Sequence, residues 1–255
     1  MKIVVCYKNV PEEQQIELRD DRTLDLSAAQ WKIGQYDLNA IEFGATLAEQ
    51  VGDSELIALS AAGAVLDNVK QRKNVLSRGT TRLIGVRDEA LDTADCYAVA
   101  CVLAKAIEKI GDVDVILFGE GSGDIYAQQT GLMTGLLLGW TTLNCIQAIE
   151  KTTEGLRLTR SLEDGNEILE VTLPVALSVT SDGNRPRIPQ MKDILAAGRK
   201  PVEIWSLADL GVEAVSATET ISILAPEQTA RKCNILEGES SENIDLLFRQ
   251  LKSMV

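Results

Sequence analysis

Histidine is absent from the 255 residues. Its absence removes Ser-His-Asp and Cys-His catalysis, His-ligated zinc and imidazole proton relays. Aromatic residues are scarce, at 4%, and the three tryptophans, Trp31, Trp140 and Trp205, read as packing or interface residues rather than a cofactor box. Five cysteines show no CxxC or other metal-ligand spacing. They read as reduced thiols, several of them packing residues, so no metal site is expected and a cytoplasmic compartment fits best. No apolar run reaches the roughly 18 residues that span a bilayer, and no positively charged leader with a cleavage site is read at the start. Positive charge is also in deficit. With 25 Lys and Arg against 38 Asp and Glu, the net charge is −13, which argues against nucleic acid and anionic membrane surfaces.

What is present is a core and an alternating pattern. Apolar residues make up 45% of the chain, enough for one α/β domain with an added arm. Strand signals fall at Ile3–Cys6, Glu55–Ser60, Leu83–Val86 and Val115–Phe118. Helical periodicity lies between them, over about Asp37–Val51, Ala64–Arg78 (stopped by Gly79) and Thr93–Ile110. Such alternation predicts a doubly wound, mainly parallel α/β sheet. Four closely spaced strands then follow, Thr142–Ile149, Leu156–Leu162, Glu167–Leu173 and Val175–Thr180, with an antiparallel hairpin turn at 163–166. A polar loop at 181–190 precedes a short helix, Met191–Ala197, and a strand, Val202–Trp205. The expected division is a nucleotide-binding domain over 1–210 and an arm over 211–255. That arm ends in an amphipathic helix, Ser241–Met254, and an irregular arm of this kind often needs another surface to order it.

The segment Asp114–Gly131 carries the chemistry. Strand residues Val115 to Phe118 lead into glycines 119, 121 and 123, which permit a tight turn and close backbone approach. Asp124 reads as an N-cap of a helix over Ile125–Leu138. A glycine loop feeding a helix N-terminus offers N–H groups to an anion, and ligands of doubly wound sheets sit beyond the strand C-termini. A tight turn that binds nothing is the competing account. The loop lacks the third glycine of the dinucleotide fingerprint and the Gly-Lys-Ser/Thr of a P-loop, so it suggests nucleotide binding but not phosphoryl transfer. Glu120 and Asp124 would repel a phosphate unless amides and the Gln and Thr side chains dominate. Glu163, Asp164 and Glu167 are solvated turn residues rather than a catalytic pair. Arg72, Lys73 and Arg78 read as a charged helix face.

Ile3-Val-Val-Cys-Tyr-Lys-Asn-Val-Pro11, Gln35-Tyr-Asp-Leu-Asn-Ala-Ile-Glu42 and Asp124-Ile-Tyr-Ala-Gln-Gln-Thr-Gly131, together with the longer stretches 162–178 and 184–204, carry a common likeness. With these segments the chain resembles one family, the β subunit of electron transfer flavoproteins, and most closely its bacterial Fix-type, carnitine-pathway-like branch. The resemblance implies a sheet of the adenine-nucleotide-binding type and a structural AMP buried in this chain. Its AMP contacts carry over to Cys6, to Gly34, Gln35, Tyr36 and Asp37, and to Ala61. They also carry over to Glu120, Gly121, Ser122, Gly123, Asp124, Ile125, Tyr126, Ala127, Gln128, Gln129, Thr130 and Gly131. It further implies a heterodimer whose α subunit carries most of the contacts to an FAD, and an acyl-CoA-type flavin dehydrogenase as electron donor. Docking of that donor maps to the loop 186–197, with Met191 as apolar anchor and Arg187, Ile188 and Ile194 beside it. No catalytic residue is expected in the chain itself.

Departures from the family pattern are specific. Relatives often place a cation where Glu120 stands, and Ile125, Tyr126 and Ala127 match neither the AMP-type loop nor the loop that holds a second FAD. AMP is the first choice and a second FAD stays open. A free-standing adenine-nucleotide sensor is the alternative function. An ATP-cleaving enzyme of the pyrophosphatase type is disfavoured, because no Ser-Gly-Gly-x-Asp-Ser loop is present.

Overall fold

The computed structural model describes residues 1–227 and 233–253. In chain order the elements are β1 (Lys2–Cys6), the short strands β2 (Asn9–Pro11), β3 (Glu17–Leu18), β4 (Leu24–Asp25) and β5 (Trp31–Ile33), then α1 (Gln35–Val51), β6 (Glu55–Ala62), α2 (Val69–Leu76), β7 (Arg82–Arg87), α3 (Cys96–Ile110), β8 (Val115–Gly119) and α4 (Thr130–Leu137). There follow β9 (Thr141–Lys151), β10 (Leu156–Leu162), β11 (Gly165–Val171), β12 (Val175–Val179), α5 (Met191–Ala197), β13 (Val202–Trp205), α6 (Leu207–Leu210) and α7 (Ser241–Lys252).

Nine strands form one sheet in the order β11-β10-β9-β12-β8-β1-β6-β7-β13. Pairing is parallel from β9 across to β13, and antiparallel only where β10 joins β9 and β11. The expected doubly wound sheet with an antiparallel hairpin is therefore what the chain adopts. Strand β1 sits between β6 and β8, so the winding reverses there. Such a reversal opens a crevice beyond the strand C-termini.

Strand alternation divides the core. Ile3, Val5, Ala58 and Leu117 face α1 and α2, while Val4, Ile57, Leu59 and Ile116 face α3. All eight are fully buried, so these strands carry apolar residues on both faces, as a sheet covered by helices requires.

Several boundaries move for local reasons. The helix predicted over 64–78 is a 3-10 turn at Ala64–Asp67 and then α2, because the Asn68 side chain accepts from the amides of Lys70 and Gln71 and restarts the helix there. The helix predicted from Thr93 begins at Cys96, where the Asp95 carboxylate accepts from Ala98 N at 2.9 Å. The hairpin strand predicted over 167–173 is Gly165–Val171, since Leu162 pairs directly with Gly165 and only Glu163 and Asp164 form the loop. The helix predicted from Ile125 is corrected to Thr130–Leu137.

The chain divides into two compact units, one of Met1–Glu17 with Asp25–Ser222, the other of Leu18–Leu24 with the residues from Ile223 onward. The start of the arm belongs to the first. There Asp95 Oδ2 accepts from Ala217 N and Thr218 N, each at 2.8 Å. Within the second, Ala225 N donates to Arg22 O at 2.9 Å and Arg22 pairs with Glu227 at 3.2 Å. Helix α7 buries none of its residues. Met254 of the predicted terminal helix lies outside the described residues.

Candidate functional site

Where the sheet reverses, β1 ends at Cys6 and β8 ends at Gly119. Helix α1 starts beside them, with Asp37 in its first turn and almost wholly buried. Asp37 Oδ2 accepts from Lys8 N at 2.7 Å, and the backbone N–H of Gly119 also donates to this carboxylate. One carboxylate thus ties the exits of both strands to α1. Burial pushes its pKa up to about 7, against the lowering effect of those two amides and of Lys8, and the Asp124 charge adds to the rise. Burial likewise drives the Cys6 thiol well above its ordinary range, with Asp37 contributing. A thiol so placed stays protonated and serves as packing.

The loop after β8 folds back over this point instead of continuing as helix. Lys8 Nζ reaches Asp124 Oδ2 at 2.6 Å, and the rings of Tyr36 and Tyr126 lie 5.2 Å apart. Partial burial raises the Asp124 pKa, but the hydrogen bonds from Lys8 and Ser122 outweigh it and hold the carboxyl below its usual range. Tyr126 and Gln128 adopt φ of 52° and 58°, left-handed values that interrupt a helix and are uncommon away from glycine. That backbone is why the helix cannot begin at Ile125. No helix begins at Asp124 for it to cap: its Oδ1 accepts from Ile125 N at 2.8 Å, Tyr126 N closes a turn on Ser122 O at 3.1 Å, and the N-cap of α4 is Gln129. Gly123 and Ile125 face solvent. Glu120 accepts from Ser181 N at 3.3 Å, which joins this loop to the segment after β12.

The glycines have reasons that the sequence pattern alone does not give. A Cβ on Gly119 would meet Tyr36 C at 2.7 Å and Asp37 Oδ1 at 2.8 Å, one on Gly34 would meet Asp37 Oδ2 at 2.8 Å, and one on Gly121 would meet the Tyr126 ring at 2.5 Å. A Cβ on Gly131 would lie 2.8 Å from Phe118 Cγ. These glycines make room for neighbouring side chains, whereas Gly123 has only Val10 Cγ2 near, at 4.0 Å.

The donor set suits an anion and a purine. Neither α1, capped by Gly34, nor α4, capped by Gln129, has a side-chain hydrogen bond at its N-cap. No N-cap side chain thus takes up their first-turn N–H groups, of which Asp37 N donates to Gly34 O at 3.1 Å, and the positive end of each helix dipole lies there. Near the β1 and β6 ends, the buried polar atoms Tyr7 Oη, Asn9 Oδ1 and Ser60 Oγ have no hydrogen-bond partner among the described residues. Tyr7 and Ser60 are 5% and 1% exposed, so leaving them unsatisfied is costly. A purine edge carries both donors and acceptors and is a group that such atoms can engage. Ala61, at the end of β6, is half-buried beside them. The residues present fit an adenylate.

Sequence reasoning brought together Cys6, Gly34, Tyr36, Asp37, Asp124 and Tyr126, and the fold does place them around one rim. It missed Lys8. Its position two residues past a strand C-terminus, at the same rim, was the available signal.

The loop 181–190 is pinned to α1. Asn39 Nδ2 donates to the carbonyls of Ser181 and Asn184 at 3.0 and 3.1 Å. Arg187 pairs with Glu42 at 2.8 Å and Glu49 at 2.6 Å, so its guanidinium is held by this chain rather than offered outward. Ile188 and Met191 are exposed at 89% and 72%, and Ile194 and Leu195 also face solvent.

The match to known families decides the broader identity. A family model described as the electron transfer flavoprotein domain matches residues 22–210. The chain belongs to the electron transfer flavoprotein family. Members of this family act as electron carriers rather than conventional enzymes and use flavin or nucleotide cofactors. No helix among the described residues is long and apolar enough to cross a membrane, and no group of His, Cys, Asp or Glu there could hold a metal ion.

Proposed function

We propose that the chain is the β subunit of a heterodimeric electron transfer flavoprotein, with a structural AMP at the rim formed by Cys6, Asp37, Ala61 and the loop 120–131. The observation that carries this reading is the conjunction of two helix N-termini without side-chain caps and three orphaned buried polar atoms at a sheet reversal, inside a chain of this family. The first turns of α1 and α4 would hold the phosphate, and the β1 and β6 ends would engage the base. An FAD held mainly by the partner α subunit supplies the redox chemistry. This chain contributes support: it shapes a wall of the assembly and offers docking surface.

Two exposed features favour that role. Helix α7 presents Ile244, Leu247, Phe248 and Leu251 to solvent, an apolar stripe that suits packing on the α subunit. The exposed residues Ile188, Met191 and Ile194 suit a donor dehydrogenase of the acyl-CoA type, Met191 being a flexible anchor for an apolar pocket. Co-expression with a candidate α subunit tests the reading. A yellow heterodimer that releases AMP on denaturation, identified by mass, supports it. A colourless monomer that saturates with ATP would favour a free-standing nucleotide sensor instead.

A further inference from the structure

We propose that Asp37 is a positioning residue for the nucleotide and its proton partner: as a phosphate settles across the first turns of α1 and α4, the Asp37 carboxylate takes up one proton from solvent and becomes a neutral carboxyl. This rests on the adenylate reading above and adds a regulatory property to that site.

The geometry is a clamp. Asp37 Oδ2 holds Lys8 N at 2.7 Å, and the carboxylate also accepts from Gly119 N. The same carboxylate fills the space that side chains at Gly34 and Gly119 would take. It is therefore buried within the rim, between the ends of β1 and β8. The titratable and charged groups around it are Cys6, Tyr7 and Lys8 from β1 and its exit, and Asp124 from the loop after β8. Arg72 of α2 acts on the Tyr7 hydroxyl. Lys8 is the cation this structure brings to Asp37, and its ammonium is already paired with Asp124 at 2.6 Å.

An incoming phosphate adds negative charge to a rim that already holds three carboxylates, Asp37, Asp124 and Glu120, and one ammonium. The helix termini offset part of that charge. The rest falls most heavily on the carboxylate with the least access to water, because a buried charge is weakly screened and a nearby like charge favours protonation. Asp37 titrates near neutrality even before any phosphate arrives, so a further rise moves it to the neutral form at physiological pH. A protonated carboxyl keeps acceptor capacity for the Lys8 and Gly119 amides and gains one O–H donor. The clamp survives the proton transfer. Binding then weakens as pH rises, since the proton becomes harder to supply.

Titration calorimetry of the full chain, freed of nucleotide, tests this with AMP at pH 7.5 in two buffers of different ionisation enthalpy. At that pH a phosphate monoester, with a second pKa of about 6, is already almost wholly dianionic. The expected result is a buffer-dependent enthalpy corresponding to uptake of a fraction of a proton, with affinity falling several-fold by pH 8.5. Adenosine, lacking the phosphate, should bind without uptake, and Asp37→Asn should bind AMP without it. Equal enthalpies in the two buffers for the wild-type chain overturn the proposal while leaving the nucleotide site standing, as does unchanged uptake in Asp37→Asn. If that variant fails to fold, the wild-type comparison of AMP with adenosine decides alone. Absence of AMP binding at every pH removes the site itself, and the proposal with it.

Discussion

The backbone N–H of Lys8 donates a 2.7 Å hydrogen bond to Oδ2 of Asp37, joining the exit of β1 to the first turn of α1. Two residues further along α1, Asn184 Nδ2 donates to Asn39 O at 3.0 Å. Helix α1 thus connects the proposed nucleotide rim at its start with the loop 181–190 along its side.

The buried carboxyl gives stability a pH slope of unusual sign. Asp37 titrates near 4 when unfolded and about 7 when folded, so the folded state binds more protons between those values. Its contribution is fully present below about pH 4 and is lost as pH rises through 7, at up to about 1.4 kcal/mol per pH unit. Asp37→Asn should flatten the slope of unfolding free energy between pH 4 and 7, whatever it does to absolute stability. Urea melts across that range are the measurement, and an unaltered slope would show that Asp37 does not titrate there.

Lys8 neutralises Asp124 next to the proposed phosphate. Their pair is partly exposed, with side chains 49% and 24% accessible, so removing it should cost folding no more than about 1 kcal/mol. Nucleotide binding should suffer more, because Lys8→Ala leaves a carboxylate facing an anion. AMP affinity is expected to fall by about tenfold, a change of about 1.4 kcal/mol, and Lys8→Ala with Asp124→Asn should recover much of it. Equal affinity in wild type and Lys8→Ala would place the phosphate elsewhere.

Gly131 separates packing from ligand approach. Its missing side chain leaves room for Phe118, 2.8 Å from where a Cβ would stand, so Gly131→Ala should overpack α4 against β8 and cost about 1–3 kcal/mol. Phe118→Leu in the same chain should relieve part of that cost. Denaturant midpoints of the single and double variants check this, and a Gly131→Ala midpoint equal to wild type would remove the packing account.

Met191 is the test of donor docking. It opens α5 at 72% exposure, so truncation costs little core packing. Met191→Ala should slow electron acceptance from the flavin dehydrogenase by about tenfold, in the range of an interface anchor, while nucleotide content and melting temperature hold. Unchanged transfer rates in stopped-flow mixing would take the anchor away.

The parallel sheet was legible because β1, β6, β7 and β8 are short apolar runs separated by periodic helices, a pattern that few other folds accommodate. The position of the rim followed from that order alone. The loop after β8 was less legible. Gly121, Asp124 and the later apolar spacing imitate a capped helix, but the Lys8 and Tyr36 side chains draw Asp124 and Tyr126 back over β1, and these contacts are remote in sequence. Propensity cannot register them. The short strands β2 and β5 were missed for the same reason, since Asn9 pairs with Ile33 across a long excursion. Arg187 was expected beside the Met191 anchor from the family resemblance, yet Glu42 and Glu49, two turns apart on the same face of α1, capture it.

That capture supports a last prediction. Glu42 accepts from Arg187 Nε at 2.8 Å, from Nη2 at 3.0 Å and from the Arg187 backbone N–H at 2.9 Å, and Arg78 donates to Arg187 O at 2.7 Å. These bonds hold the Arg187 pKa well above its ordinary value, the Glu42 and Glu49 hydrogen bonds leading. Glu42 is the better buried partner, its side chain 13% exposed against 65% for Glu49, so most of the anchoring should reside with it. Glu42→Gln keeps one acceptor and removes the charge, which should cost about 1–2 kcal/mol for charge-assisted bonds in a half-buried setting. The effect should be local. Amides of residues 181–190 should exchange several-fold faster with deuterium, while those of β1 and β8 stay protected, and Glu49→Gln should change exchange far less. If Glu42→Gln left exchange in that segment unchanged, the segment would owe its order to Asn39 and Asn184 instead, and α1 would connect the rim to the docking loop through that amide pair alone.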